Sequence, residues 1–284
     1  MAAGTVYSQG WTLDDIRWTA FDARKVEPWL LALVKASALV ELNAPDYVEY
    51  LKRVFSSDRG TQTAIECWGC EESLHGRALG RWAELADATF NLEQAFARFR
   101  EGYRPSHFTS GGVRSIRGSR RGEMIARCVV ESGTSSHYSA IRDAACEPVL
   151  KEIAARIASD EFRHYRLFFD TLNAQCEPDL PFWRKALVAV GRLVESDDDE
   201  LSYAYYCANV AAADETVCPY DRRTYARKAF AASLRIYRFR HIRKLTQMVG
   251  KAIGARPRAL SVRLAGYLTW GMMRVRAGLG TVAT

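Results

Sequence analysis

The sequence lacks the marks of several large functional classes. No apolar run approaches the roughly 20 residues that a membrane-crossing helix needs. The opening MAAGTVYSQGWTLDD has neither the basic start nor the apolar stretch of a signal peptide. Both absences lead to the expectation of a soluble, cytoplasmic chain without a transmembrane segment. No segment carries the period-two alternation of a strand, and no repeat of solenoid length occurs. No flavin or iron–sulfur pattern is present either, so electrons for any redox chemistry must come from outside. The seven cysteines are an odd number, scattered at positions 67, 70, 128, 146, 176, 207 and 218. That suits reduced thiols better than a disulfide framework. Cys67 and Cys70 form a C-x-x-C, but no strand precedes it and no second pair completes a zinc site, so packed helix thiols are expected. Histidine is scarce, with 5 in 284 residues.

What is present is helix. The chain is 48% hydrophobic and 26% charged, as in globular proteins. Apolar residues at helical spacing predict helices over about 27–43, 46–56, 62–86, 91–101, 122–144, 147–173, 182–195, 200–212, 222–249 and 258–276. Pro45 ends the first of them. The stretch GYRPSHFTSGGVRSIRGSRRG (102–122) is the one long irregular segment. The fold class expected is all-α: a four-helix bundle core over about 26–175 carrying accessory helices over about 180–278, in a single domain spanning 1–284. The C-terminal segments RIYRFRHIRKL and LSVRLAGYLTWGMMRVR can bind a membrane surface or a partner, but the simpler expectation is that their apolar stripes pack on the bundle. The net charge of +7, from 40 basic and 33 acidic residues, favours an acidic partner: nucleic acid, a membrane surface or an acidic carrier protein.

The chemistry-bearing pattern begins in CEESLHGR (Cys70–Arg77). Glu72 and His75 are three residues apart and share one helix face. The spacing recurs in SDEFRHY, at Glu161 and His164. Single glutamates precede each pair by nearly equal intervals, Glu41 by 31 residues and Glu131 by 30. A carboxylate-rich metal pair inside a four-helix bundle requires two Glu-x-x-His motifs on two helices and one Glu on each of the others. Glu41, Glu72, His75, Glu131, Glu161 and His164 meet that requirement. Four acids buried together would repel, so such a cluster implies cations. Two hard iron ions accept four carboxylates and two imidazoles while keeping positions open for oxygen.

With these residues in view, the sequence resembles the soluble acyl-carrier-protein desaturases of the ferritin-like di-iron group. ELNAPDY (Glu41–Tyr47), WGCEESLHG (Trp68–Gly76), ESGT, which puts Thr134 three residues after Glu131, and SDEFRH carry the likeness over about residues 11–175. The resemblance implies that Glu72 and Glu161 bridge two irons, that Glu41 and His75 complete one, and that Glu131 and His164 complete the other. It implies that Asp160 accepts a hydrogen bond from His75 and that Glu71 is the counterpart for His164, each fixing an imidazole tautomer; solvated acids are the alternative reading. Thr134 is either a proton relay to bound oxygen or a hydroxyl bonded to the carbonyl one turn back. The family's relay tryptophan is either Trp11 or Trp18, with core packing the ordinary alternative. The residues between Glu72 and His75 are less polar than the family's, and the N-terminal segment is shorter.

The resemblance implies a reduced di-iron centre that uses O2 to oxidise an unactivated C–H bond, giving an alkene or an alcohol on an acyl chain held by an acyl carrier protein. A small acidic ferredoxin is the expected electron donor, and a homodimer is among the assemblies allowed. Arg98, Arg100, Arg104, Arg114, Arg117, Arg120 and Arg121 crowd the region before Glu131 and are candidates to meet an acidic carrier, or simply a solvated loop. A hydroxylase or N-oxygenase of a biosynthetic or tRNA-modification pathway shares the ligand set. An iron-storage shell is a further alternative. A ribonucleotide reductase radical subunit would want a tyrosine one turn after the first histidine, where Leu79 stands.

Overall fold

The structure is a computed structural model that describes residues 10–103, 105, 112–195, 199–210, 214 and 216–281. It is all-α, with no strand among the described residues. After three short 3-10 turns, the helices are α1 (Pro28–Leu42), α2 (Ala44–Val54), α3 (Arg59–Ala86), α4 (Leu92–Gly102), α5 (Arg120–Ala144), α6 (Pro148–Ala174), α7 (Phe182–Glu195), α8 (Asp199–Asn209), α9 (Arg222–Ile236), α10 (Phe239–Ala252) and α11 (Leu260–Thr281). The starts of the long helices are written in the sequence. Asp58 caps α3 by accepting from the Thr61 backbone N–H, Ser119 caps α5 through Gly122, and Glu147 caps α6 through Leu150 with Pro148 following at the first helical position.

Four helices carry the architecture. α5 packs along α6, α1 along α3, and α3 against α6. Their buried residues fall into two apolar layers with a polar layer between. On α3, Ile65 and Trp68 lie in one layer and Leu79 and Trp82 in the other, with Glu72 and His75 between them. On α5 the order is Ile125 and Val129, then Glu131, then Tyr138 and Ile141. On α6 it runs the other way, from Ile153 and Ile157 through Glu161 and His164 to Phe168 and Leu172. Two apolar slabs therefore enclose one buried stratum of charge. Such a stratum is costly unless something neutralises it.

Two expectations from the sequence are corrected. The basic helix expected over 222–249 is two helices, α9 and α10. Tyr237 and Arg238 are extended at the junction, and His241 Nδ1 accepts the Arg238 backbone N–H at 3.1 Å, capping the new helix start. The apolar stripes of the C-terminal helices do not both pack inward. α10 buries Ile242, Met248 and Val249, whereas α11 leaves Leu260, Leu264, Leu268, Met272 and Val275 exposed. α11 rests chiefly on α9 and α10, which stand between it and the four long helices.

Candidate metal centre

Helix geometry delivers the six expected residues to one place. Glu41 comes from the last turn of α1, Glu72 and His75 from the middle of α3, Glu131 from α5, and Glu161 and His164 from α6. All six are buried. Their donor atoms form two overlapping sets. Glu41, Glu72, His75 and Glu161 make one; Glu72, Glu131, Glu161 and His164 make the other; within each set the atoms lie within 4.8 Å of one another. Glu72 and Glu161 belong to both. The buried acidic and histidine groups could thus hold a metal ion.

Both imidazoles point the same nitrogen inward. His75 Nδ1 lies 3.2 Å from Glu161 Oε1 and 3.7 Å from Glu41 Oε2. His164 Nδ1 lies 2.9 Å from Glu72 Oε1 and 3.8 Å from Glu131 Oε2. The outward nitrogens are held by carboxylates, His75 Nε2 by Asp160 at 3.1 Å and His164 Nε2 by Glu71 at 2.6 Å. This leaves the inward nitrogens free to present lone pairs to a metal. Glu41 Oε2, Glu72 Oε1, Glu161 Oε1 and both Nδ1 atoms are buried without a hydrogen-bond partner. Native interiors rarely leave such atoms unpaired. Here they fall within the two donor sets, where bound cations would satisfy them.

Charge counting gives the same answer. Six carboxylates (the four inward glutamates, Asp160 and Glu71) face two guanidinium groups, Arg127 and Arg163. With neutral imidazoles the excess is about four negative charges, which two divalent ions cancel. Without cations, protons take their place. Burial, reinforced by Glu161 and Glu41, pushes the Glu72 carboxyl well above the usual range. Burial also raises Glu131 to about 8 against the pull of Arg127. Burial disfavours charge on His75 and His164, but the carboxylates around each win and hold both well above the ordinary imidazole range. The two inward imidazoles, His164 and His75, hold Glu161 low in spite of its burial.

The surrounding residues show what each remaining candidate side chain touches. Asp160 is buried and receives three donors: His75, the Trp11 indole N–H at 2.7 Å and Arg163 Nη2 at 2.6 Å. Arg163 also donates to Glu71 at 3.3 Å, so one guanidinium steadies both outer carboxylates. Trp11 stacks over His75 at 6.0 Å between ring centroids. Trp18 donates to the Leu13 carbonyl and lies under Arg81, away from the cluster. Thr134 Oγ1 bonds Glu161 Oε2 and also sits 3.3 Å from the Val130 carbonyl one turn back, so the back-bonded hydroxyl is present and it also touches the cluster.

Two neighbours escaped the sequence reading. Tyr138, one heptad beyond Glu131, donates to Glu41 Oε1 at 2.5 Å across helices. Arg127, one turn before Glu131, donates to it at 2.7 Å and is enclosed by the rings of Trp68, Phe168 and Tyr47. Helical spacing from Glu131 was the available signal for both. It could not say which distant groups they would meet.

The C-x-x-C is not part of this centre. Cys67 and Cys70 are free thiols, and burial raises Cys67, the opposite of an activated thiolate. Several of the clustered arginines are committed to the fold. Arg98 donates to the Cys207 and Val210 carbonyls, Arg120 to Val54, and Arg121 to the Gln175 and Glu177 carbonyls. Arg100 pairs with Asp46 at 3.3 Å, and Arg104 lies outside the described residues. No family model matches the chain, and no curated protein gives a significant match.

Proposed function

We propose that the chain is an O2-dependent di-iron oxidoreductase of the ferritin-like group, acting on an acyl chain held by a carrier protein in the manner of the soluble desaturases its motifs resemble. The observation that supports this best is the pair of four-residue donor sets sharing Glu72 and Glu161, each closed by an inward Nδ1. Bound iron would supply O2 reduction and C–H oxidation, chemistry that no side chain here provides.

The chain's own residues then have definable work. Glu41 and His75 would hold one ion, Glu131 and His164 the other, and Glu72 and Glu161 both. Asp160 and Glu71 fix the imidazole tautomers and raise their basicity. Thr134 holds its hydroxyl proton at Glu161 Oε2, within reach of the shared carboxylate. Trp11, Asp160 and His75 form a continuous hydrogen-bonded line from the N-terminal segment to the cluster, a route for an external electron donor such as a ferredoxin. The two apolar layers exclude water, which strengthens every electrostatic interaction between them.

The test is anaerobic Fe(II) titration followed by O2 uptake, with a Glu72→Ala/His75→Ala control. About two irons per chain and O2 uptake, both lost in the control, support the reading. An intact chain that takes up no iron removes it. Acyl-carrier thioesters are the first substrates to offer, since alkene and alcohol products separate a desaturase from a hydroxylase. Free amines and RNA test the N-oxygenase and tRNA alternatives. Elution as a large cage would instead indicate iron storage.

A further inference from the structure

Independently of the metal reading, we infer that α11 is a docking surface for an anionic lipid bilayer, on which the chain lies without crossing it. The observation begins in the sequence. Residues 222–284 contain fifteen Lys and Arg and no Asp or Glu. The remainder of the chain holds 25 basic against 33 acidic residues, so the whole positive charge of the protein is concentrated in its C-terminal helices. All fifteen basic side chains are exposed. Potentials of one sign over one region attract an oppositely charged extended surface.

Charge alone would suit nucleic acid or an acidic protein. The apolar pattern on α11 selects the bilayer. At 100° per residue, Tyr267, Leu260, Leu264, Val275, Leu268 and Met272 fall in that order within an arc of roughly 140°. Each is between 55% and 77% exposed. Arg263 and Arg274 border one edge of the arc and Arg276 the other, while Val262 and Gly266 face inward and are buried. An outward apolar stripe with arginine at both edges is the pattern of a helix lying in the headgroup plane, with guanidinium groups on phosphate and side chains in the acyl boundary. No described helix is long and apolar enough to cross a membrane, which fits lying on the surface.

The molecule contains its own comparison. α7 also exposes apolar residues, Phe182, Trp183, Leu187 and Val190. It is followed by the acidic run SDDDE (196–200), which an anionic surface repels. Apolar exposure is common to both helices; only α11 combines it with uninterrupted positive charge.

The test uses the full chain and sedimentation with vesicles of phosphatidylglycerol and phosphatidylcholine, against vesicles of phosphatidylcholine alone. Binding to the anionic vesicles should be at least tenfold tighter. It should fall at least tenfold in Leu264→Glu/Leu268→Glu and in Arg263→Glu/Arg274→Glu, with circular dichroism and thermal midpoint unchanged because these side chains face solvent. Leu187→Glu/Val190→Glu on α7 should bind as the parent does. Equal binding to both vesicles, no binding, or loss of binding only in the α7 variant overturns the proposal. So does a lipid-free dimer that Leu264→Glu/Leu268→Glu converts to monomer, which would assign the stripe to a second copy. Retention by RNA in place of vesicles would assign the surface to nucleic acid.

Discussion

The two halves of the buried cluster use the same ligand types and differ in what stands behind them. Behind His75 are a buried carboxylate, Asp160, and an indole, Trp11, which both bonds that carboxylate and covers the imidazole ring. Behind His164 is Glu71, steadied by Arg163, and beside it Glu131 is tied to the buried Arg127. Arg163 reaches both outer carboxylates, so the difference is the Trp11 indole behind one half and a second guanidinium, Arg127, beside the other. Ligand identity follows from helix spacing, but the field around each ligand is set by groups from other parts of the chain. The halves are therefore equivalent as metal donors and unequal as chemical environments.

The largest expected effect separates shared from unshared ligands. Glu161→Ala should abolish binding of both ions, whereas Glu41→Ala should leave about one ion per chain, on the His164 side, when metal is counted after desalting. If Glu41→Ala also loses both, the halves do not act separately. Next come the outer carboxylates. Asp160→Asn and Glu71→Gln should each weaken metal binding about 10- to 100-fold, each in a different phase of a two-phase titration. A uniform loss in both phases would erase the distinction between the halves. Smaller again, Trp11→Phe removes one hydrogen bond to a buried carboxylate and should weaken the His75-side phase about tenfold. Trp18→Phe should leave both phases unchanged.

The smallest effect concerns a histidine outside the cluster. Among the described residues no carboxylate hydrogen-bonds His137, whose Nε2 lies 3.1 Å from Ser37 Oγ, and burial lowers it to about 4. The unfolded chain takes a proton near pH 6.5 that the native ring resists until about pH 4. Stability should therefore fall as pH drops from about 6.5 to about 4, by about 1–2 kcal/mol, less than full linkage because the residue as a whole is only partly buried. Denaturant unfolding of His137→Gln across that window should show a shallower slope. The contrast with His75 and His164, which their carboxylates hold high, is the comparison this measurement sharpens.

Much of this was legible in the sequence because helix periodicity is local. Three-residue spacing puts Glu72 with His75 and Glu161 with His164 on one face whatever the rest of the chain does. The near-equal intervals to Glu41 and Glu131 can be read from the numbering alone, although the first contains the whole of α2 and the second only the turn between α5 and α6. The caps at Asp58, Ser119 and Glu147 are local in the same sense. The break between α9 and α10 was hidden because residues 222–249 contain neither proline nor any other strong helix breaker at the junction; a histidine cap made it. Tyr138 and Arg127 were visible as residues at helical spacing from Glu131, but Tyr138 meets Glu41, 97 positions away.

The sequence by itself determined most of the helices, the residue types of a carboxylate–imidazole cluster and the concentration of positive charge after Asp221, because these depend on order and spacing along one chain. Only the tertiary structure decided that Trp11 rather than Trp18 reaches Asp160, that one guanidinium steadies both outer carboxylates, and that the apolar stripe of α11 faces outward. Each of these depends on which helix faces which, a choice made by packing two apolar layers around a stratum of charge and invisible to any local pattern.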